Sequence, residues 1–104
     1  MIVMPRNLLI AGTSLRVWEM TLGTMNWGAS VPFERALQLY DAYRTAGGNT
    51  LDTAHLYACW DKTPTGDNAL GASEKAIGEL LRQRPERRQL IIISKGGHPT
   101  VEPN

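Results

Sequence analysis

Hydrophobic positions along the chain change their period several times. Two short apolar runs, residues 8–11 and 15–17, flank the turn residues Gly12, Thr13 and Ser14, which is the pattern of a β-hairpin. A strand over residues 19–24 follows and runs out into the small-residue loop GTMNWGAS. Pro32 suits a helix start, and after it Ala36, Leu37, Tyr40 and Tyr43 recur at spacings of three and four, making one helix face apolar. Gly47 and Gly48 stop this helix, because glycine takes the left-handed conformation of a helix end without steric cost. Residues 50–53 form a short strand, and a loop rich in Gly, Pro, Asp and Asn spans residues 58–71. A second helix opens at Ser73, read as its cap, with Glu74 at the positive end of the helix dipole. Its apolar stripe is Ala76, Ile77, Leu80 and Leu81, and Pro85 ends it. The last strand, residues 90–94, carries Leu-Ile-Ile-Ile without alternation, as a strand buried on both faces would.

The predicted order is a hairpin followed by a β-α-β-α-β run. Strands alternating with helices imply right-handed crossovers and a parallel sheet, hence an α/β fold. With 104 residues the chain is one domain or a piece of one, and such a chain buries only about two thirds of its unfolded surface. Eleven Lys plus Arg against ten Asp plus Glu leave the charge near neutral, so neither a nucleic-acid partner nor a membrane surface is expected. The basic run RQRPERR, residues 82–88, reads as the solvated end of the second helix. A single cysteine, Cys59, rules out an internal disulfide and fits a reducing compartment. No apolar run is long enough for a membrane span, and MIVMPRNLLIAG lacks the apolar core of a signal peptide; the expectation is a cytoplasmic protein.

In parallel α/β architectures, functional residues gather at the C-terminal ends of strands, whose loops share one rim. Gly23, Thr24 and Met25 follow the first predicted parallel strand, Asp52 the second and Lys95 the third, with Tyr57 a few residues beyond Asp52. Taken singly, Asp52 reads as a loop cap, Tyr57 as an aromatic packed on the rim and Lys95 as an exposed charge. Together they have a chemical use. A phenol, with an ordinary pKa of about 10, is a poor acid at neutral pH, but a nearby ammonium favours its ionised form. A carboxylate beside the ammonium keeps it charged and placed, so the phenol can protonate a carbonyl oxygen while hydride reaches the carbonyl carbon. Proteins have no hydride donor of their own, which calls for a nicotinamide.

The loop GTMNWG is not the GxGxxG phosphate-binding fingerprint, which makes a Rossmann fold the weaker alternative. Trp27 and Trp60 read either as pocket walls or as covers on the core edge. Cys59 and His98 have no further ligands at metal spacing, so no metal site is predicted.

With these residues in place, the sequence resembles the aldo-keto reductase family. The likeness lies in LGTMNWG, GGNTLDTAHLY, GASEKAIGELL and IIISKGG, in this order and over nearly all of the chain. What the resemblance implies is a partial TIM (β/α)8 barrel, closed at its bottom by the N-terminal hairpin. It also implies NADPH bound in extended form and the reduction of aldehydes or ketones. On the same resemblance Asp52, Tyr57 and Lys95 match three of four catalytic positions, with Tyr57 as the acid. Gly23, Thr24, Met25 and Asp52 would lie against the nicotinamide end of the cofactor.

The sequence also departs from the family's pattern. The fourth catalytic residue, a histidine after the fourth barrel strand, has no counterpart, and His98 is not it because it follows the third. Ala58 stands where a glycine commonly follows the tyrosine, and residues 59–70 look like an insertion. A barrel typically takes about 250 residues, against three barrel strands here, and the segments that would grip the adenosine are absent. The expectation is an N-terminal portion of a reductase, inactive alone. The rival readings are a non-catalytic piece that self-associates through strand 90–94 and one that binds the cofactor without turnover.

Overall fold

The computed structural model describes residues 4–97, and His98 lies outside them. Strands β1 (Asn7–Leu9) and β2 (Arg16–Trp18) pair antiparallel as the expected hairpin. Strand β3 (Leu22–Gly23), helix α1 (Phe33–Ala46), strand β4 (Thr50–Asp52), helix α2 (Ala72–Gln83) and strand β5 (Ile91–Ile93) follow, so the predicted element order is observed. The sheet runs β3-β4-β5, all parallel, with β4 in the centre.

Only Leu22 and Gly23 remain of the strand predicted over residues 19–24. Glu19 belongs to the hairpin instead: its N–H donates to the Arg6 carbonyl at 2.7 Å, and its carboxylate accepts the Arg6 N–H at 3.1 Å.

Register sets which side chains face which layer. Leu22 pairs with Leu51 and Leu51 with Ile92, so these three share one face, and there the core forms. Leu51 packs with Ala36 and Tyr40 of α1 and with Ala76, Ile77 and Leu80 of α2, alongside Trp27 and Leu90. Both helices therefore cover the Leu51 face. The next rung, Gly23, Asp52 and Ile93, turns to the opposite face, which carries no helix among the described residues. This overturns the expectation for the last strand. Leu90 is buried, but Ile91 and Ile92 are half-buried and Ile93 is exposed, because β5 is an edge strand with one covered face.

Two glycines end α1 for two different reasons. Gly47 adopts the left-handed conformation (φ 112°) and returns its N–H to the Arg44 carbonyl. Gly48 has an ordinary φ, but a Cβ there would lie 2.2 Å from the ring of Tyr43. That close approach brings the Tyr43 hydroxyl to the Met20 carbonyl (2.7 Å), where it also accepts the Thr50 N–H (3.1 Å). Asn49 docks the hairpin from the same corner, accepting from Trp18 N–H and donating to the Arg16 carbonyl, both at 2.9 Å. The hairpin is thus held against the N-terminal end of β4, with Trp18 edge-on to Tyr43 at 5.4 Å.

The run RQRPERR is less solvated than its composition implies. Arg84 forks onto both oxygens of Asp41 (3.0 and 2.8 Å). Tyr40 donates its hydroxyl proton to Glu86, which also pairs with Arg44 at 3.3 Å. These contacts bind the end of α2 and the following turn to α1. Burial first, then Glu86, pushes the Tyr40 phenol above the ordinary range. Glu86 is held below the usual carboxylate range, chiefly by the Tyr40 hydroxyl and then by Arg44, and the Arg84 fork does the same for Asp41.

Residues 59–70 fold back as a small loop, with Lys62 bridged to Asn68 and the Gly71 N–H on the His55 carbonyl. Under it sits a cluster of small residues, Ala29, Ala58, Ala69 and Ala72. Ala58 is fully buried at φ 58°, the left-handed region that favours glycine.

Two expected outcomes follow from this packing. In the unfolded chain Glu and Asp titrate near about 4.3 and 3.9, above their depressed folded values, so the stabilisation is complete above that range and is lost as pH falls through the folded values. The urea midpoint should therefore drop between pH 7 and pH 3, and drop less in Glu86→Gln, because Glu86 is the more shielded carboxylate (side chain 27% exposed against 46% for Asp41). Ala58→Val puts a β-branched residue in the left-handed region of a filled site, at a cost of about 2 kcal/mol or more. Its thermal midpoint should fall by on the order of 10 °C, read by circular dichroism. Ala58→Gly should stay near the parent.

Candidate active site

The helix-free face of the sheet gathers the predicted residues at one rim. Asp52 is the last residue of β4 and shares its rung with Gly23 and Ile93. Lys95 lies two residues beyond Ile93, and period two along an extended segment keeps it on the Asp52 side. Its ammonium pairs with the Asp52 carboxylate and lies 5.0 Å from the centroid of the Tyr57 ring, within cation–π range. The hydrogen bond to Asp52 is the main cause holding the Lys95 amine above its usual range, with the Tyr57 phenol acting in the same direction. The three groups singled out in the sequence therefore stand together, with the ammonium between the carboxylate and the phenol.

Thr24 is placed differently from its neighbours. Gly23 and Met25 are exposed on the rim, and nothing lies within 4 Å of a Cβ built at Gly23. Thr24 is fully buried, and its N–H and hydroxyl both donate to the Asp52 carbonyl, at 3.1 and 2.9 Å. The hydroxyl also lies 2.7 Å from that of Ser73, which in turn lies 2.7 Å from that of Thr53. Each hydroxyl has one proton, which fixes the directions. Thr24 spends its proton on Asp52, so Ser73 donates to Thr24 and Thr53 donates to Ser73. Ser73 is therefore not the helix cap expected from the sequence. Gly71 caps α2 at φ 78°, without any side-chain bond, and Ser73 reaches across to the ends of β3 and β4.

His55 is the site residue that sequence reasoning missed. Its imidazole is exposed in the loop between Asp52 and Tyr57, 3.9 Å from Glu74, which also accepts the Ser94 hydroxyl at 2.6 Å. A histidine three residues past a strand end, in the same loop as a candidate acid and phenol, was the available signal. The two tryptophans divide: Trp27 belongs to the core (3% exposed), whereas Trp60 stands open (70% exposed). No group of three or more His, Cys, Asp or Glu gathers at metal-binding distance among the described residues.

Tyr57 stands between two hollows. One, of about 760 Å³, is walled by Leu56, Trp60 and Leu70, with His55 and Lys95 as polar groups. The other, of about 380 Å³, runs along Gly23, Met25 and Asn26. Met25 and Tyr57 line both. The first is an apolar pocket with few polar groups, as small-molecule sites are. The second is bordered by the bare surface of Gly23, open enough for a flat ring to approach the backbone. The residues present therefore fit a flat cofactor ring on one side of the phenol and a small apolar substrate on the other.

Among the described residues no helix is long and apolar enough to cross a membrane. The sequence profile of the Aldo/keto reductase family matches residues 19–104. An uncharacterised oxidoreductase of Bacillus subtilis, YrpG, is 34% identical over 93 residues, covering 88% of this chain and 26% of that protein. An aryl-alcohol dehydrogenase [NADP(+)] of Phanerodontia chrysosporium is 33% identical over 95 residues, covering 84% of this chain and 22% of the relative. The chain thus spans about a quarter of the length of these curated relatives. Among solved structures, a candidate aldo-keto reductase of Pseudomonas aeruginosa superposes with a TM-score of 0.71 at 30% identity, covering 94% of this chain and 33% of that one. The holo form of an aldo-keto reductase of Bacillus halodurans gives a TM-score of 0.63 at 27% identity, over 89% of this chain and 26% of the other. The chain belongs to the aldo/keto reductase family, and its hairpin and β-α-β-α-β run are the opening part of that family's (β/α)8 barrel.

Proposed function

We propose that this segment carries the proton-donating rim of a cytoplasmic, NADPH-dependent reductase of aldehydes or ketones. The observation that carries the reading is the Lys95 ammonium set between the Asp52 carboxylate and the Tyr57 ring. Tyr57 donates its hydroxyl proton to the carbonyl oxygen of the substrate as that oxygen gains charge. Lys95 is positioned to stabilise the negative charge left on the phenol oxygen, and Asp52 keeps the amine protonated and in place. Gly23, Thr24 and Met25 border the hollow that would take the nicotinamide, with Asp52 on the same rung as Gly23, and Leu56, Trp60 and Leu70 wall the side that would take the carbonyl compound. Thr24 contributes from beneath, through the Asp52 carbonyl. NADPH supplies the hydride when bound. The choice of NADPH follows the family resemblance and the NADP(+) in the name of the aryl-alcohol dehydrogenase relative.

On the family resemblance, the 104-residue chain matches the catalytic positions at Asp52, Tyr57 and Lys95. A second reading applies to it alone: the open edge of β5, with Ile93 40% exposed, favours self-association by strand pairing.

In a complete barrel containing this segment, Tyr57→Phe should lower NADPH-dependent aldehyde reduction by about 10²- to 10⁴-fold. An unchanged rate would refute Tyr57 as the acid. The isolated chain should show little or no NADPH oxidation, and steady oxidation abolished by Lys95→Met would overturn that. Sedimentation of the isolated chain separates a discrete dimer, as strand pairing between copies predicts, from the polydisperse aggregate expected of an incomplete barrel.

A further inference from the structure

We infer that Ser73 is a positioning residue for the Asp52–Lys95 pair, acting through a single file of hydroxyl protons that runs Thr53 to Ser73 to Thr24 to the Asp52 carbonyl. All three hydroxyl-bearing residues are essentially unexposed (Thr24 0%, Ser73 0%, Thr53 2%). No buried side-chain nitrogen or oxygen lacks a partner among the described residues. A closed file of this kind admits one arrangement of its protons, and each bond polarises the next.

Its end point gives it a function beyond packing. The peptide group that follows Asp52 is held at both of its polar atoms. Its oxygen accepts the N–H and hydroxyl of Thr24, and its nitrogen, that of Thr53, donates to the Ile93 carbonyl at 2.8 Å. Fixing that plane fixes the backbone torsion of Asp52 and with it the direction in which the carboxylate leaves the strand. Ser73 is the central member of the file. Removing its hydroxyl leaves the Thr53 proton without an acceptor in a site closed to water, and Thr53 must shift to find one. Thr53 is bonded directly to Asp52, so the shift passes to the carboxylate and to its contact with Lys95. The titratable groups acting on Lys95 are Asp52 and Tyr57, while His55 and Glu74, further along the rim, face each other.

The catalytic consequence rests on Asp52, Tyr57 and Lys95 being the reacting set, but the positioning itself can be read without turnover. The chain has three lysines, so the side-chain carbons of Lys95 can be followed by NMR against pH, with Lys62 and Lys75 in the same spectra. In the parent chain Lys95 should lose its proton above the usual range of a lysine amine. The Lys95 midpoint should fall from its parent value in Ser73→Ala and in Thr24→Val, and should hold in Thr24→Ser, which keeps the hydroxyl. If Ser73→Ala does not fold, Ser73→Cys, similar in shape and a poor donor, should give the same downward shift. A Lys95 midpoint that stays at its parent value in folded Thr24→Val and in the folded Ser73 variant would overturn the inference and leave the file a packing device. In a complete barrel containing the segment, Ser73→Ala should lower kcat with little change in KM. Loss of the lysine shift with Tyr57→Phe still active would keep the positioning role and refute the reaction, whereas an unmoved lysine with Tyr57→Phe inactive would do the reverse.

Discussion

Three buried hydroxyls determine how the rest of this small structure is assembled. Thr24 ends the loop side of β3, Thr53 follows β4 and Ser73 lies in the first turn of α2, so their contacts join three segments that are distant in sequence. A buried hydroxyl without a partner costs on the order of 1–3 kcal/mol, a large share of the stability of a short domain. The three groups must therefore find one another, and doing so fixes how α2 sits on the sheet and where β3 stops. The apolar core follows from that arrangement: with α2 placed, Ala76, Ile77 and Leu80 meet Leu51, and α1 closes over Tyr40 and Ala36. Directional bonds supply the geometry and burial of apolar surface supplies most of the free energy.

The split between what the sequence discloses and what it hides follows the range of the interactions. The hairpin, both helices and the stop at Gly47 and Gly48 were legible because each depends on residues within a turn or two. Asp52, Tyr57 and Lys95 were legible as a set because strand ends in a parallel sheet share a rim, so position stands in for distance. Ser73 was misread because a serine followed by a glutamate at a helix start looks like a cap, while its true partners lie 49 and 20 residues away. The run RQRPERR looked solvated for the same reason, since its partners Asp41, Tyr40 and Arg44 belong to the other helix. Periodicity overstated the burial of β5, because a run of isoleucines reports what a strand can tolerate rather than whether its second face is covered. His55 had only its position between Asp52 and Tyr57 to mark it, and the fold brings it to Glu74, 19 residues away.

One face of the sheet is fully occupied and the other is left for chemistry. The helices cover the Leu51 side, where apolar contact is continuous. The Asp52 side holds charged and aromatic groups, which hydrate well enough to stay open and lie close enough to act on one another. That separation explains how the Asp52 carboxylate, with an ammonium beside it, can stand one residue away from the most buried part of its strand without being drawn into it.

The central strand β4 is only three residues long, and its register on both neighbours is set at Leu51 and Asp52. Because adjacent strand residues point to opposite faces, sliding it by a single position would exchange these two side chains. Leucine would then occupy the rim, and a carboxylate would be forced among Tyr40, Ile77 and Leu80. A misaligned chain would thus lose the Asp52–Lys95 pair and its stability at the same stroke, which gives the fold a built-in form of proofreading: any molecule that stays folded has its carboxylate on the rim.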